Sequence, residues 1–349
     1  MASLRKESDI APVIRRIVCP ALLWVIPLAA QSPGAAPRVS VGGLFVTRYL
    51  YQLTDTANHL NAFDITRAYI NVTGTLPGGL RTRVTMDLFT NTDSSRSYRI
   101  KFAYAAYTPG KTPVTFKLGI IQTPWLDWEE ALWEYRMQGP MAMDRATYLS
   151  SSDFGAGLDG MWEREKVNAE IALVNGEGYN KGVGDQRKDV MGRASLRLRE
   201  TSDSTRVGGL RVSVYGQYGK PTGGGERERS LVMVSYKSKR LTAAAEAAIT
   251  RDTVTAPVSR PANGHVYSAF AVYHIPRSKA AIIGRVDVTH AQAGNTADRQ
   301  TRAILGLSYQ VHPNWRLLAD WDCVGYQATP TPAQEATRSQ ALFQTMFTF

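Results

Sequence analysis

Hydrophobic and polar residues alternate along most of the chain after residue 38. The alternating segments are roughly 8–14 residues long, and turn-rich stretches separate them. A period of two is typical of β-strands, whose successive side chains point to opposite faces of the sheet. The pattern predicts sixteen strands, near residues 39–51, 62–75, 80–90, 98–108, 113–122, 153–163, 167–174, 190–200, 207–219, 229–239, 241–250, 265–275, 279–290, 299–311, 314–326 and 338–349.

The connections between these strands alternate in length. Those after even-numbered strands are short, such as residues 76–79 and 312–313, whereas those after odd-numbered strands are longer and polar. This rhythm indicates periplasmic turns on one side of a barrel and extracellular loops on the other. The even number of strands also returns both ends of the barrel to the periplasmic side. We therefore expect an all-β fold, a transmembrane antiparallel up-and-down β-barrel of about 16 strands.

The last strand ends the chain and carries its aromatic residues on one face. Phe343, Phe347 and Phe349 share a register with Ala341 and Thr345. A C-terminal strand that ends in Phe resembles the insertion signal of bacterial outer-membrane barrels. These three phenylalanines are the predicted insertion signal, through which the barrel-assembly machinery would bind. The alternative is an ordinary last strand of a soluble sandwich.

Charged residues fall on the opposite strand face from the large apolar ones. Arg81 and Arg83, for example, alternate with apolar residues in the third predicted strand, and Phe102 and Tyr104 of the fourth are expected to face lipid. A charge that faces lipid at mid-membrane costs roughly 2–4 kcal/mol, so the strand cations should face a wet lumen. The predicted pore-lining basic residues are Arg81, Arg83, Arg99, Lys101, Lys117, Arg193, Arg197, Arg199 and Arg211.

The N-terminus has the features of a secretory signal peptide. An apolar run at residues 17–30 follows four basic residues, and small residues follow the run. We expect residues 1–36 to be the signal peptide, cleaved between about residues 30 and 36, and residues 37–349 to form the barrel. Removing residues 1–30 takes away four of the 41 basic and two of the 30 acidic residues, which leaves a net charge of +9.

The basic balance is compatible with nucleic acid, with anionic lipid or with an anion-conducting lumen. No nucleic-acid motif is present, so no nucleic-acid partner is expected, and small anionic solutes are the favoured ligands. Asp153 and Asp159 flank two glycines, but their spacing matches no calcium loop. We expect neither a metal nor a cofactor.

Two segments resemble the phosphate-selective porin O/P family of bacterial outer membranes. Residues 102–107 and 116–124 match the strand–turn–strand of that family, which ends in a Gly-x-x-x-Thr-Pro-like motif, here Gly119 to Pro124. Residues 66–74 resemble its earlier Arg-Ala-x-x-x-x-x-Gly strand. The resemblance implies a sixteen-stranded porin, usually a homotrimer, with the third extracellular loop folded inward.

The third loop, residues 123–152, is the longest connection and includes a Trp-rich segment that is compatible with a short helix. Its acidic residues would face basic strands across the lumen and would create a transverse field. The alternative is a flap outside the barrel. The residues predicted to form the constriction are Trp125, Asp127, Glu129, Glu130 and Glu134.

These patterns indicate a porin of the bacterial outer membrane, in contact with its lipid, for passive diffusion of small hydrophilic solutes with a bias toward anions such as phosphate. A non-selective general porin and a structural barrel with a plugged lumen are alternatives. A barrel enzyme would need, for example, Ser and His with a supporting polar group. The five histidines are scattered and form no catalytic motif, so an enzyme is not expected.

Overall fold

The computed structural model describes residues 36–91, 93, 95–181, 185–221, 225–254 and 260–349. The predicted signal peptide therefore lies outside the described residues, apart from its final position. Within the described part of the chain, no helix has the length and apolarity needed to cross a membrane.

Sixteen antiparallel strands form one closed barrel, in which each strand pairs with its neighbours in sequence and the last pairs with the first. The predicted fold class is confirmed. The strands are β1 (Arg38–Gln52), β2 (Asn61–Leu76), β3 (Leu80–Thr90), β4 (Arg96–Tyr107), β5 (Val114–Gln122), β6 (Ser152–Trp162), β7 (Val167–Val174), β8 (Asp189–Arg199), β9 (Gly209–Gly219), β10 (Arg227–Lys237), β11 (Leu241–Val254), β12 (Arg260–His274), β13 (Ala280–His290), β14 (Gln300–His312), β15 (Trp315–Tyr326) and β16 (Ser339–Thr348).

The short helices lie in the connections. They are α1 (Pro124–Leu132), α2 (Ala142–Arg145) and α3 (Pro332–Ala336), with single 3-10 turns at Pro77–Gly79 and Thr296–Asp298. β11 and β12 are longer than the alternation predicts: β11 continues to Val254, and β12 begins at Arg260. The connection after β8, residues 200–208, is in consequence longer than the extracellular one between β11 and β12, so the short–long rhythm holds only in general.

The pairing of β16 with β1 closes the barrel. Phe347 lies opposite Phe45, and the pairs continue without a shift from Leu44↔Thr348 to Gln52↔Gln340. The Phe347 ring stacks on Phe45 at 4.8 Å and on Trp315 at 5.1 Å between ring centroids. The backbone N–H of Phe349 donates to the Gly43 carbonyl at 3.0 Å, and the Gly43 N–H donates back at 2.9 Å. The last residue is thus part of the closing seam.

The outer surface of the barrel is apolar. Phe116 and Leu118 on β5 are 55% and 65% exposed, and Leu305 and Leu307 on β14 are 58% and 56% exposed. Exposure of such large apolar side chains to water would be unfavourable, so this surface is suited to contact with lipid. Because every strand edge is paired in the closed barrel, the backbone polar groups of the wall are satisfied internally, as a bilayer requires.

A β-bulge in β4 makes one predicted facing wrong. Thr85 of β3 pairs with Phe102 and Met86 pairs with Ile100, so Lys101 is an additional residue in the strand. Phe102 is therefore 8% exposed, and its ring lies 4.6 Å from the guanidinium of Arg83 on the inner face. Tyr104 also turns inward, where its hydroxyl accepts a hydrogen bond from Gln122. A bulge shifts the alternation by one residue, which the sequence pattern does not reveal.

A second irregularity affects the predicted lumenal row on β8. Arg197 pairs with Arg211, but Arg199 pairs with Leu210, whose position is on the outward face. Arg199 is exposed at the end of the strand and does not continue the inward row. Its charge reaches water because the residue lies at the rim of the barrel.

Candidate pore

The third extracellular loop, residues 123–151 (loop 3), connects β5 to β6 and folds into the lumen. The indole side chains of Trp125, Trp128 and Trp133 are completely buried. The inward-folded loop is thus confirmed, and the alternative of an external flap is wrong. Because each aromatic side chain buries roughly 150–250 Å² of surface, three of them provide a strong hydrophobic anchor.

Loop 3 packs against the inner surface of one side of the barrel. The Trp133 ring meets Phe270 edge-on at 5.1 Å, and Trp125 donates from Nε1 to the Glu246 carboxylate at 2.9 Å. The guanidinium of Arg193 lies 4.1 Å from the Trp128 ring centroid. Buried apolar residues of the wall complete this core, among them Met191, Tyr215, Leu231, Met233, Ala244, Ala248, Val266, Phe270, Val272, Ala281, Ile283 and Leu318.

Two predicted constriction residues pair with the barrel wall. Asp127 forms an ion pair of 2.8 Å with Arg206 in the connection after β8. Burial opposes ionisation of Asp127, but the charges of Arg206, Lys117 and Arg193 together hold the pKa of Asp127 below its usual value. Glu134 pairs with Lys237 at 3.2 Å and with His274 at 3.1 Å. Burial acts against its ionisation too, yet the hydrogen bond from His274 and the charge of Lys237 lower the pKa of Glu134 to about 2.

Glu129 is enclosed within the loop core. Its side chain is completely buried, and neither carboxylate oxygen has a hydrogen-bond partner among the described residues. Burial, reinforced by the nearby Glu246 carboxylate, raises the pKa of Glu129 well above its usual value. Glu129 and Trp125 are therefore parts of the loop core. The other three residues predicted for the constriction, Asp127, Glu130 and Glu134, are each in an ion pair and keep 22–23% of their side chains exposed.

Loop 3 presents a compact charged group to the opposite wall. Arg136 contacts Glu130 at 2.9 Å and Asp144 at 3.5 Å. Burial raises the pKa of Asp144 even though Arg136 acts in the opposite direction. We call Glu130, Arg136 and Asp144 the loop triad.

Strands β2–β4 supply cations without acidic partners. Arg67 Nη1 and Lys101 Nζ both donate to the Tyr69 hydroxyl, at 2.6 Å and 3.0 Å. Arg83 donates to Thr85 at 3.0 Å and to Asn71 at 3.1 Å. Within the described chain, no carboxylate lies within salt-bridge distance of the residues that we call the basic row: Arg67, Lys101, Arg83 and Arg81.

The other predicted pore-lining cations have partners. Lys117 pairs with Glu170 at 2.9 Å, and Arg99 pairs with Asp87 at 3.1 Å. Arg193 and Arg211 are buried beneath or beside loop 3, where they donate to backbone carbonyls. Arg197 donates to Glu200 at 2.9 Å near the short-turn end of the barrel. These side chains support the wall, and only Arg99 of this group also lines the cavity described next.

An open cavity of 730 Å³ lies on the long-loop side of loop 3; we call it the vestibule. Seven basic and five acidic residues line it. Its tyrosines are Tyr69, Tyr148 and Tyr179. The basic lining residues are Arg67, Arg99, Lys101, Arg136, Lys181, Arg227 and Arg229, and the acidic ones are Asp87, Asp144, Asp153, Glu177 and Asp252.

Sequence reasoning missed four residues at the centre of this site. Arg67 and Tyr69 lie in the segment that resembles a porin motif, and their spacing of two residues is the signal that they share a face. Arg136 and Asp144 lie in loop 3, beyond its Trp-rich segment. No periodicity marks them, because they come together only when the loop turns back between α1 and α2.

Comparison with known proteins identifies the fold. No protein-family model matches the sequence, and no curated protein matches it significantly. The structure is similar to an anion-selective porin from Comamonas acidovorans, with a TM-score of 0.64 and 12% identity over 90% of this chain and 100% of the other.

Two further porin-like structures extend the comparison. OmpF of Salmonella typhi, in complex with daunomycin, has a TM-score of 0.67 and 14% identity over 89% of this chain and 97% of the other. OmpT of Vibrio cholerae, in a trimer form, has a TM-score of 0.62 and 10% identity over 90% and 100%. At these identities the similarity is one of fold. The protein is a sixteen-stranded β-barrel of the porin fold, and its apolar outer surface and closed wall belong in the bacterial outer membrane.

Proposed function

We propose that this barrel is a porin for passive diffusion of small hydrophilic solutes, biased toward anions, phosphate among them. The observation that carries the proposal is the basic row, whose four cations have no acidic partner within the described chain. Cations without an acidic partner attract counter-ions from solution. Beneath or beside loop 3, Arg193 is paired with Glu170, and Arg211 is buried and donates to backbone carbonyls.

The basic row would act by replacing part of the hydration shell of an anion. Arg67 and Lys101 meet at one phenol oxygen, and Arg83 and then Arg81 follow at alternate positions of β3 toward the short-turn end. Charge-assisted hydrogen bonds hold an anion at each position, while several weak sites in series keep its release fast. The loop triad, with two carboxylates and one guanidinium, repels anions toward the row.

The finer assignments of permeant anion and oligomeric state rest on the family resemblance and on the structural neighbours. The resemblance to the phosphate-selective porin O/P family supports phosphate as one permeant anion, and a structural neighbour is itself described as anion-selective. Another neighbour is described in a trimer form, which supports a homotrimer. We further propose that residues 1–36 direct export and that Phe343, Phe347 and Phe349 present the last strand to the assembly machinery.

Ion selectivity in a planar lipid bilayer tests the proposal. With a KCl gradient across the membrane, the reversal potential should have the sign of chloride permeation. Replacing Lys101 by Gln should move this potential toward zero, because a cation of the row is lost. A reversal potential of the sign for potassium would overturn the anion bias, and a value near zero would favour a general porin.

A plugged structural barrel is the second candidate, because the Trp-rich core of loop 3 fills one side of the lumen. Absence of conductance by the purified, folded barrel would support it. We propose transport rather than catalysis. His274 is part of the contact that holds Glu134, and His290 lies 3.9 Å from Asp298 in a loop. These contacts serve loop 3 and the rim rather than a nucleophile.

A further inference from the structure

Aromatic rings surround the cations of the vestibule. Tyr69 lies 5.3 Å from the Arg67 guanidinium and 4.9 Å from the Lys101 ammonium, measured to the ring centroid. Tyr179 lies 4.7 Å from Arg99. On the opposite side, Tyr148 of loop 3 lies 5.0 Å from Arg229. Each tyrosine of the vestibule therefore has a cation at its ring.

Lys101 is the centre of this arrangement. Its side chain is 4% exposed, and its ammonium is near three rings, with Phe102 at 5.5 Å and Tyr179 at 5.9 Å in addition to Tyr69. Its one hydrogen bond within the described chain goes to the neutral Tyr69 hydroxyl. Aromatic faces stabilise a cation but leave its positive charge uncancelled. A charge held in this way still attracts an anion. The rings around it favour an anion that carries a planar apolar group.

The acidic partners limit which anion fits. Four of the seven vestibule cations are already committed to ion pairs: Arg99, Arg136, Arg227 and Arg229. Arg67 and Lys101 are lining cations that form no ion pair within the described part of the chain. Phosphate presents oxygens on every side and needs several converging N–H donors. Around the Lys101 ammonium, the rings of Tyr69, Phe102 and Tyr179 lie where further N–H donors would have to be.

From this geometry we propose that aromatic monocarboxylates are the preferred anions of the vestibule, a proposal that rests on the anion-biased porin described above. The carboxylate would accept hydrogen bonds from Arg67 and Lys101. The ring of the ligand would lie against Tyr69 and Tyr179. The volume of 730 Å³ lies within the usual size of small-molecule sites, and the tyrosines lie beside the two cations that would fix the orientation of the ligand.

The arrangement also discriminates against other ligands. Neutral aromatic molecules leave Lys101 without a counter-ion, and aromatic cations are repelled by Arg67 and Lys101. Saturated carboxylates satisfy the charge but stack poorly on the tyrosines. Aromatic stacking contributes beyond burial of apolar surface, so benzoate should bind more tightly than cyclohexanecarboxylate of the same charge and similar size.

Calorimetry on the full barrel in detergent tests this preference, because it measures affinity whether or not the protein conducts. Benzoate, cyclohexanecarboxylate and inorganic phosphate are the probes. We expect benzoate to bind about three- to tenfold more tightly than cyclohexanecarboxylate, the size of one stacking contact. Phosphate should bind more weakly than benzoate. Equal affinities for benzoate and cyclohexanecarboxylate would overturn the proposal, and so would tighter binding of phosphate.

Tyr179 offers a matched pair of variants. Tyr179→Leu removes the ring, and Tyr179→Phe keeps the ring but loses the hydrogen bond to Asp87. Tyr179→Leu should weaken benzoate binding about threefold or more and leave cyclohexanecarboxylate binding nearly unchanged. Tyr179→Phe should keep the benzoate preference. Equal losses in the two variants would contradict a role for the ring.

The outcomes separate this inference from the proposed function. An anion-selective reversal potential without a benzoate preference would refute the inference and leave the porin assignment intact. A cation-selective pore that nonetheless prefers benzoate would refute the anion bias of conduction and leave the binding site.

Discussion

Two regions of the same barrel differ in the chemistry of their inner surfaces: one is basic and polar, the other apolar. On β2–β4, which we call the basic wall, the inner face carries the basic row and polar side chains that hydrogen-bond to it. On β10–β13, the covered wall, it carries Leu231, Met233 and other apolar residues beneath loop 3. Both walls have an apolar outer face. What differs is the inner partner, which is water for one wall and a folded loop for the other.

The difference explains why the alternation is clear on one side of the barrel and weak on the other. Where loop 3 covers the wall, the inner positions can be apolar as well, and β11 accordingly reads as a run of alanines around Glu246. Small residues also make room for the indole rings of the loop. A strand with two apolar faces loses the period-two contrast that water on one face enforces.

The largest expected effect comes from a change that prevents both walls from forming. Deleting Phe349 removes two backbone hydrogen bonds to Gly43 and the end of the closing seam. We expect a severalfold lower yield of folded barrel in the outer membrane. The ion selectivity of the barrels that do assemble should be unchanged, because Phe349 is on the outer face. A normal yield in membrane fractions would argue against a role in insertion.

Uncovering the covered wall should have the next largest effect. Trp133→Ala leaves a cavity next to Phe270 and should weaken the packing of loop 3 by about 3–5 kcal/mol. We expect faster cleavage of loop 3 by added protease and a larger or noisier single-channel current. Trp321→Ala, which removes an outward ring that is 46% exposed, is the control and should leave loop 3 protected. Equal protection of loop 3 in both variants would contradict the anchoring role.

Acid should release loop 3 from the covered wall through Glu134. The pKa of this group is lowered from 4.5 to about 2 in the packed loop, so its contribution to packing is complete above pH 4.5 and is lost as the pH falls through about 2. Protease sensitivity of loop 3 should rise between these values in the native protein. Glu134→Gln should make the loop looser at neutral pH and remove this part of the pH dependence. An unchanged pH profile in the variant would count against the contact with Lys237 and His274.

The smallest effect sharpens the comparison at the basic wall. Arg83→Gln should lower anion selectivity modestly, as a shift of the reversal potential toward zero, with little change in stability. Its neighbours Thr85 and Asn71 remain hydrogen-bonded to each other at 2.7 Å. Lys166→Gln removes the same charge from an exposed turn and is the matched control. Shifts of the same size in both variants would indicate that net charge, rather than the basic row, sets the selectivity.

The sequence predicted the barrel well because strand periodicity, turn spacing and the final aromatic strand are local properties. The pore-lining role of Arg81 and Arg83 comes from the same local alternation and stays a prediction. The sequence missed the facing of Phe102 and Tyr104, because one extra residue at Lys101 reverses the alternation without any mark in composition. The partners of Glu134 are 103 and 140 residues away along the chain, a distance that no local pattern spans.

By itself the sequence determined the class of wall: strands with one face for lipid, closed by a last strand that ends in Phe349. A membrane permits few alternatives, since every backbone polar group must be paired and the outer face must be apolar. Only the tertiary structure decided which charges remain free. Lys117 and Lys101 both belong to the predicted inner face, yet Glu170 neutralises the first while aromatic rings surround the second. That outcome depends on the packing of loop 3 and on neighbouring strands, because a charge is cancelled by what lies beside it in space.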